Sequence, residues 1–558
     1  MRKDISMKLQ AMETDFLIIG GGSAGCIAAM HALQLNPDLN VTIFEKSDIV
    51  YGGSIARGMD ALNIVAIPGQ TTAELYLESV RAMTAGVVDA GPSYVMAERS
   101  YALLKEMESW GVTFPKDENG QYKTLKYHVK GKFQTAMDEP ELKAMLVKRA
   151  LDLGTRPVNR VMALRLLMDN GRVAGAVGMN VRTGQMVVCK AKTVLVASGG
   201  VSRFTLPNSE YLYGVYDYPG NTGDGFVMAL RAGAGVTGME YTQRTMLIKD
   251  TNMPLLAICV SRGGRVLDCE GNILMEGEVA NTNVMNEAFT KGRGPVHIQL
   301  SHLPEERIRE IEHILFTTER PVNERFFAGR HIDFRKQDIE LWPTEYYLCG
   351  GHGLAGIRVN ERAETAVPGL YAAGDVASVA KQHLTGAFVF GEVAAEQAVK
   401  YVAEAPDTAI NENDVAAVKA ELDERFTARN RDIDVHDLER KVRRMVADYL
   451  VSPKNAHKFE LWQYWSKTFR EDIKHVAVHN GHELSKLYEV ENILLCADCS
   501  AVAGDFRKES RWGESHYRSD YPQRDDANWK CHVVIKMKDG KLNAEKVRVS
   551  ELNEEVSL

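Results

Sequence analysis

The 558-residue sequence has few cysteines, and their placement is informative. The eight (Cys26, Cys189, Cys259, Cys269, Cys349, Cys496, Cys499 and Cys531) are scattered, at a density too low for a disulfide scaffold. Only Cys496 and Cys499 have metal-like or redox-like spacing. They sit in "VENILLCADCSAVAGDF", which has helical periodicity, and no second pair follows at ligand spacing. Two buried helix cysteines are expected, and a four-thiolate iron–sulfur cluster is excluded. No run of about eighteen apolar residues is present, so no membrane span is expected. With a net charge of −8 and no Lys/Arg-rich tract, nucleic acid is excluded as a partner. The start, "MRKDISMKLQAMETDF", lacks an apolar core before a cleavage site and lacks a twin arginine, so a cytoplasmic protein is expected. What remains is ordinary for a globular chain: 45% apolar and 25% charged residues. The length suits about two to four domains around a large core.

The strongest motif is "ETDFLIIGGGSAGCIAAMHALQ". A short apolar strand leads into Gly20, Gly22 and Gly25 at G-x-G-x-x-G spacing, with Ser23 and Ala24 between the last two. A helix of small residues follows, and the next strand, "VTIFEK", ends in Glu45 and Lys46. This is the dinucleotide fingerprint in its required context. The glycines permit a tight turn, close approach to a pyrophosphate and close helix–strand packing. The helix N-terminus offers unpaired N–H groups to phosphate, and Glu45 can accept ribose hydroxyls. A second G-x-G-x-x-G, in "GGHGLAG", precedes a strand-like "IRVN" and is rejected as a dinucleotide site. No separate NAD(P)H domain is therefore expected.

Further segments narrow the cofactor. "KTVLVASGG" ends in Ala197, Ser198 and Gly199, and "GNTGDGFVMALRAGAG" carries Asn221, Thr222 and Asp224 into a helix. "VPGLYAAGDVAS" supplies Gly374 and Asp375, and "HLTGAFVFGEVAAEQAVKYV" a helix beginning near Gly386, Ala387 and Phe388. With the C-terminal "RKESRWGESHYRSDYPQRDDANWKCH", the chain resembles the flavoprotein family of fumarate reductase and succinate dehydrogenase over nearly its whole length.

The resemblance implies an α/β fold: a Rossmann-like FAD domain in two segments, with an inserted α+β cap and a helical C-terminal domain. The expected bounds are 10–237 and 346–405 for the FAD domain, 238–345 for the cap, 406–505 for the helical domain and 506–558 for the tail. "DIVYGGSIARGMDALN" becomes the loop along the flavin ring, with Gly53, Ser54, Gly58 and Asn63 as contacts and Val161 nearby. Gly52 falls where relatives carry a histidine bonded to flavin, so non-covalent FAD is expected. Arg57 either faces the pyrimidine side of the flavin or forms a surface ion pair. The helix at Gly386–Phe388 points its positive end at the reduced flavin.

Three groups that bind dicarboxylates in the family are altered. Asn283 and His383 replace two arginines, and Tyr346 replaces a histidine, which argues against succinate or fumarate. The loop, the "GRGPVHIQL" segment and the tail resemble the adenylylsulfate reductase alpha-subunit branch more closely. That likeness implies a ferredoxin-like iron–sulfur partner. Leu247 stands where that branch presents a substrate arginine, with Arg244 three residues earlier. The expectation is hydride transfer between non-covalent FAD and a small anionic metabolite. The candidate catalytic residues are His352, His383, Arg244, Tyr346 and Arg57, with no metal. The alternatives are adenylylsulfate reductase itself, a single-chain NAD(P)H- or oxygen-linked enzyme, and a non-catalytic electron-transfer subunit.

Overall fold

The computed structural model describes residues 9–249, 251, 253–277, 282–319, 322–427 and 431–558. Strand β1 (Leu9–Ile19) feeds helix α1 (Ser23–Leu35), which returns to β2 (Val41–Glu45). Every residue of β2 is buried, as a parallel strand covered on both faces requires. β3 (Arg156–Asn159), β4 (Val161–Asp169), β5 (Arg172–Asn180) and β6 (Met186–Val196) follow, and β7 (Leu370–Ala372) joins far later in the chain. The order across the sheet is β3-β2-β1-β6-β5-β4, with β7 also against β6. β1 runs parallel to β2 and β6, whereas β4, β5 and β6 form an antiparallel meander. The β4–β5 turn is made by Asn170 (φ +49°) and Gly171 (φ +84°), the Asn-Gly pair that suits the twist of a tight hairpin.

Helix α2 (Asp224–Arg231) follows the sheet's meander, and α3 (His383–Glu404) packs on α1. The α1–α3 approach is close: a Cβ at Gly391 would lie 2.7 Å from the Ala24 carbonyl oxygen. Between β6 and β7 the chain builds a second sheet, antiparallel throughout. Its spatial order is Met246–Ile248, Ile339–Pro343, Val296–Gln299, Arg265–Leu267, Ile273–Glu276. This sheet has its own hydrophobic core, which includes Val260, Ile298 and Leu341.

Helices α4 (Val435–Tyr449) and α5 (Gly481–Phe506) start on side-chain caps, Asp434 and Asn480, each accepting from N–H groups of the first turn. Cys496 and Cys499 are buried on α5. No group of three His, Cys, Asp or Glu suited to a metal ion exists among the described residues. A buried ionic chain joins these helices to the main sheet. Arg203 bonds Glu439 of α4 and Glu489 of α5, and Glu489 pairs with Lys46 at 2.8 Å. Glu439 also pairs with Arg443, and Glu489 with Lys486, so the network is shared among several charges. The tail forms a hairpin, Cys531–Lys538 with Lys541–Arg548, that extends a small sheet at Val236–Thr237.

Candidate active site

A cleft of about 1570 Å³, including its open mouth, runs across the C-terminal ends of β1, β2 and β6 and under the cap.

The glycine end is shaped by backbone. Gly20 has φ +107°, and a Cβ there would lie 2.4 Å from the Ala197 carbonyl oxygen. A Cβ at Gly25 would lie 1.9 Å from the Gly20 carbonyl oxygen, which fixes the α1–β1 contact. Gly22 caps α1 without any side-chain bond, leaving first-turn N–H groups toward the cleft. Ser23, Ala24, Ala197, Ser198 and Gly199 line the same stretch, together with Val161. Glu45 is fixed at its edge: one carboxylate oxygen accepts from Gly21 N at 2.8 Å, the other from Ser47 N and Oγ.

Lys46 donates to the Gly220 carbonyl, Thr222 Oγ1 and Asp224 Oδ2 at 2.9–3.0 Å. Burial works against its charge, but Asp224 and Glu489 outweigh it and hold the ammonium above its ordinary range. Asn221 packs beneath Gly199, where a Cβ would lie 2.6 Å from its amide. The buried Ser198 Oγ and Asn63 Oδ1 have no protein partner, although both residues line the cleft. A glycine cradle, a free helix N-terminus, a fixed acid and orphaned polar atoms are what a dinucleotide such as FAD requires.

The other end is aromatic. His352 and His383 meet edge to face, with ring centroids 5.0 Å apart. Tyr127 lies 5.3 Å from His383, and Tyr216 and Tyr347 lie 5.7 and 5.9 Å from His352. His383 opens α3 in the left-handed region, at φ +49°, and its buried Nε2 has no partner. A strained, buried and unpartnered side chain marks a functional position. Burial lowers His352 to about 4 and, with His352 and Lys381 nearby, holds His383 well below the usual imidazole range. Both rings are neutral near pH 7. Burial also pushes the Asp375 carboxyl, beside Gly374 on the cleft wall, up to about 7.

The candidate residues separate into three groups. Gly53, Ser54, Arg57, Asn63, Gly374, Asp375, Ala387, His352 and His383 border the cleft. Arg57 is tied back: its guanidinium donates to the Tyr216 carbonyl, lies 3.6 Å from Asp217 and covers the Tyr216 ring at 4.5 Å. Gly25, Gly58, Thr222, Gly386 and Phe388 stand behind the wall. Gly58 ends the Ser54–Arg57 turn at φ +99°, and Phe388 is fully buried core. Gly386 faces Gln382 and Met96, with 2.2 Å from its notional Cβ to Gln382 Cβ.

Arg244 and Tyr346 are not brought to the cleft. Both bond Glu514 Oε1 at 2.5 Å, and the guanidinium stacks on the tyrosine ring at 4.7 Å. Gly52 packs against the acid that closes β2: a notional Cβ there would lie 2.7 Å from Glu45 Oε1. The exposed Asn283 packs against Gly513 of the tail. Sequence reasoning missed Tyr127, Tyr216 and Asp217, and the cap residues Pro254, Ala257 and Ile258. The run "VYDYPGN", directly before the Thr-Gly-Asp-Gly turn, was an available signal for Tyr216 and Asp217.

The FAD binding domain family matches residues 15–387, and the fumarate reductase flavoprotein C-terminal family matches residues 460–557. A FAD-dependent oxidoreductase of Methanocaldococcus jannaschii is 26% identical, covering 94% of this chain and 97% of its own. A CoM/CoB fumarate reductase chain of Methanothermobacter marburgensis is 24% identical, with 95% and 98% covered. Among solved structures, adenylylsulfate reductase of Archaeoglobus fulgidus superposes with a TM-score of 0.89 at 25% identity, over 98% of each chain. The chain thus belongs to the FAD-binding flavoprotein family of fumarate reductase and adenylylsulfate reductase, and is a FAD-dependent oxidoreductase.

Proposed function

We propose that this chain is a catalytic flavin subunit that moves hydride between non-covalently held FAD and a small-molecule substrate bound at the aromatic end of the cleft. The observation that carries the reading is the edge-to-face pair His352–His383, set in one cleft with the glycine cradle. FAD, when bound, supplies a two-electron hydride carrier that can pass electrons on singly.

The chain's own groups have separable tasks in this reading. α1 and Glu45 hold the adenosine and pyrophosphate. The N-terminus of α3 favours negative charge beside it. His383 Nε2 is placed to hold a polar substrate atom, and either imidazole can move a proton there. Arg57 fixes Tyr216 and Asp217 rather than meeting solvent. Pro254, Ala257 and Ile258 of the cap exclude water from above. The absence of a nucleophilic atom at Gly52 supports non-covalent FAD.

No helix among the described residues is long and apolar enough to cross a membrane. We place the protein in the cytoplasm with a ferredoxin-like iron–sulfur partner, on its likeness to adenylylsulfate reductase. The test is anaerobic. Rapid bleaching of the flavin by one metabolite is expected, whereas a pure electron carrier would respond only to protein donors. Purification from the native host at low salt should yield a brown complex with a small cluster protein. A yellow single chain turning over quickly with NAD(P)H or oxygen would defeat the partner.

A further inference from the structure

We propose that the substrate is an uncharged, flat organic compound carrying a polar oxygen at one end, in place of the anionic metabolite expected from sequence. The inference rests on the functional reading above and deepens it at the same site.

The surfaces at the aromatic end leave little for an anion to bind. The cap's contribution is apolar: Pro254, Ala257 and Ile258. Tyr127 and Tyr216 also line this end, with Tyr347 stacked on Tyr216 at 6.1 Å. An apolar roof over aromatic walls accepts a flat molecule and favours an uncharged one. Its polar atom has a defined place, since His383 Nε2 lies in the cleft wall, buried and without a partner. A carbonyl or hydroxyl oxygen would satisfy it.

Each cation named here, among the described residues, has a carboxylate or carbonyl partner. Arg57 is held by Asp217 and the Tyr216 carbonyl. Arg244 is matched by Glu514. In the cap, Arg262 bonds Glu310 and the Ile258 carbonyl and lies 3.9 Å from Asp60. Lys381 donates to the His352 carbonyl and covers the Trp512 ring. Among the described residues, Asp60, Asp217 and Asp375 line this end beside the Arg57 guanidinium. A carboxylate or sulfate ester entering here would be desolvated beside these acids.

The experiment compares charged and neutral probes on one carbon skeleton, fumarate against dimethyl fumarate and cinnamate against cinnamamide. Binding to the oxidised, FAD-loaded protein is measured by calorimetry. The neutral member of each pair is expected to bind at least tenfold more tightly. Asp217→Asn should narrow that ratio by improving the anion. Equal or tighter binding of either anion overturns the proposal, and so does the absence of binding by both neutral probes. Turnover plays no part in this reading. A protein that binds the neutral probes yet exchanges electrons with no metabolite would overturn the functional reading alone.

Discussion

His352 and His383 come from separate segments, yet their rings meet edge to face with a 72° interplanar angle. The glycines around His352 bring its backbone close to α3, where His383 N donates to the Gly351 carbonyl at 3.2 Å. Alanine at either position should slow substrate-dependent reoxidation of the flavin by about 100-fold, the lower range for a positioned acid or base. FAD should stay bound, since neither side chain builds the glycine cradle. Stopped-flow absorbance reports the rate and the visible spectrum reports retention. Unchanged kinetics in both variants would return the pair to a packing role.

FAD should leave the protein on acid precipitation, with all yellow colour in the supernatant. Gly52 has no atom for a covalent link, and its place against Glu45 leaves no space for a larger side chain. Colour retained in the washed pellet contradicts this.

Succinate and fumarate should be poor substrates. Asn283 is exposed against the tail, Tyr346 is bonded to Glu514, and His383 is a buried neutral ring. None supplies the charge that a dicarboxylate needs. Assay with fumarate and an artificial donor should give turnover far below the range of about 1–1000 per second typical of enzymes. A rate within that range rules the claim out.

Glu345 sets a pH dependence of stability. One oxygen accepts from Tyr216 N at 2.8 Å, the other has no partner, and burial raises the carboxyl to about 7. Its folded value is above its unfolded one, so the native state retains the proton while the unfolded chain releases it. Stability is lost as pH rises from the unfolded value toward 7. Glu345→Gln should therefore gain on the wild type across that window, by at most about 1.4 kcal/mol per pH unit. Denaturant unfolding at about pH 5 and about pH 8 measures the difference. A constant gap, or one that shrinks as pH rises, contradicts the assignment.

The parts of the molecule that were legible in sequence are those whose cause is local. The strand–glycine–helix unit from Phe16 to Leu33 is specified by turn geometry and small residues within one short stretch, and the structure reproduces it. The same holds for α4, whose apolar positions recur at helical spacing in "HDLERKVRRMVADYL". The hydrophobic pattern also foretold Cys496 and Cys499 as buried helix residues. What escaped was set by tertiary pairing. Arg244 and Tyr346 are occupied by Glu514, distant in sequence and carried in by the tail. Tyr127 reaches the histidines through a loop with no motif of its own, and the cap's Pro254, Ala257 and Ile258 look like any short apolar run.

The most direct test of the central claim is a crystal structure of the FAD-loaded protein. Pyrophosphate is expected at the N-terminus of α1, and the flavin ring between the Ser54–Arg57 turn and the N-terminus of α3, with the His352 and His383 rings beside the open flavin face. A flavin lying elsewhere in the cleft, with the histidine pair out of reach of its reactive face, would contradict the claim.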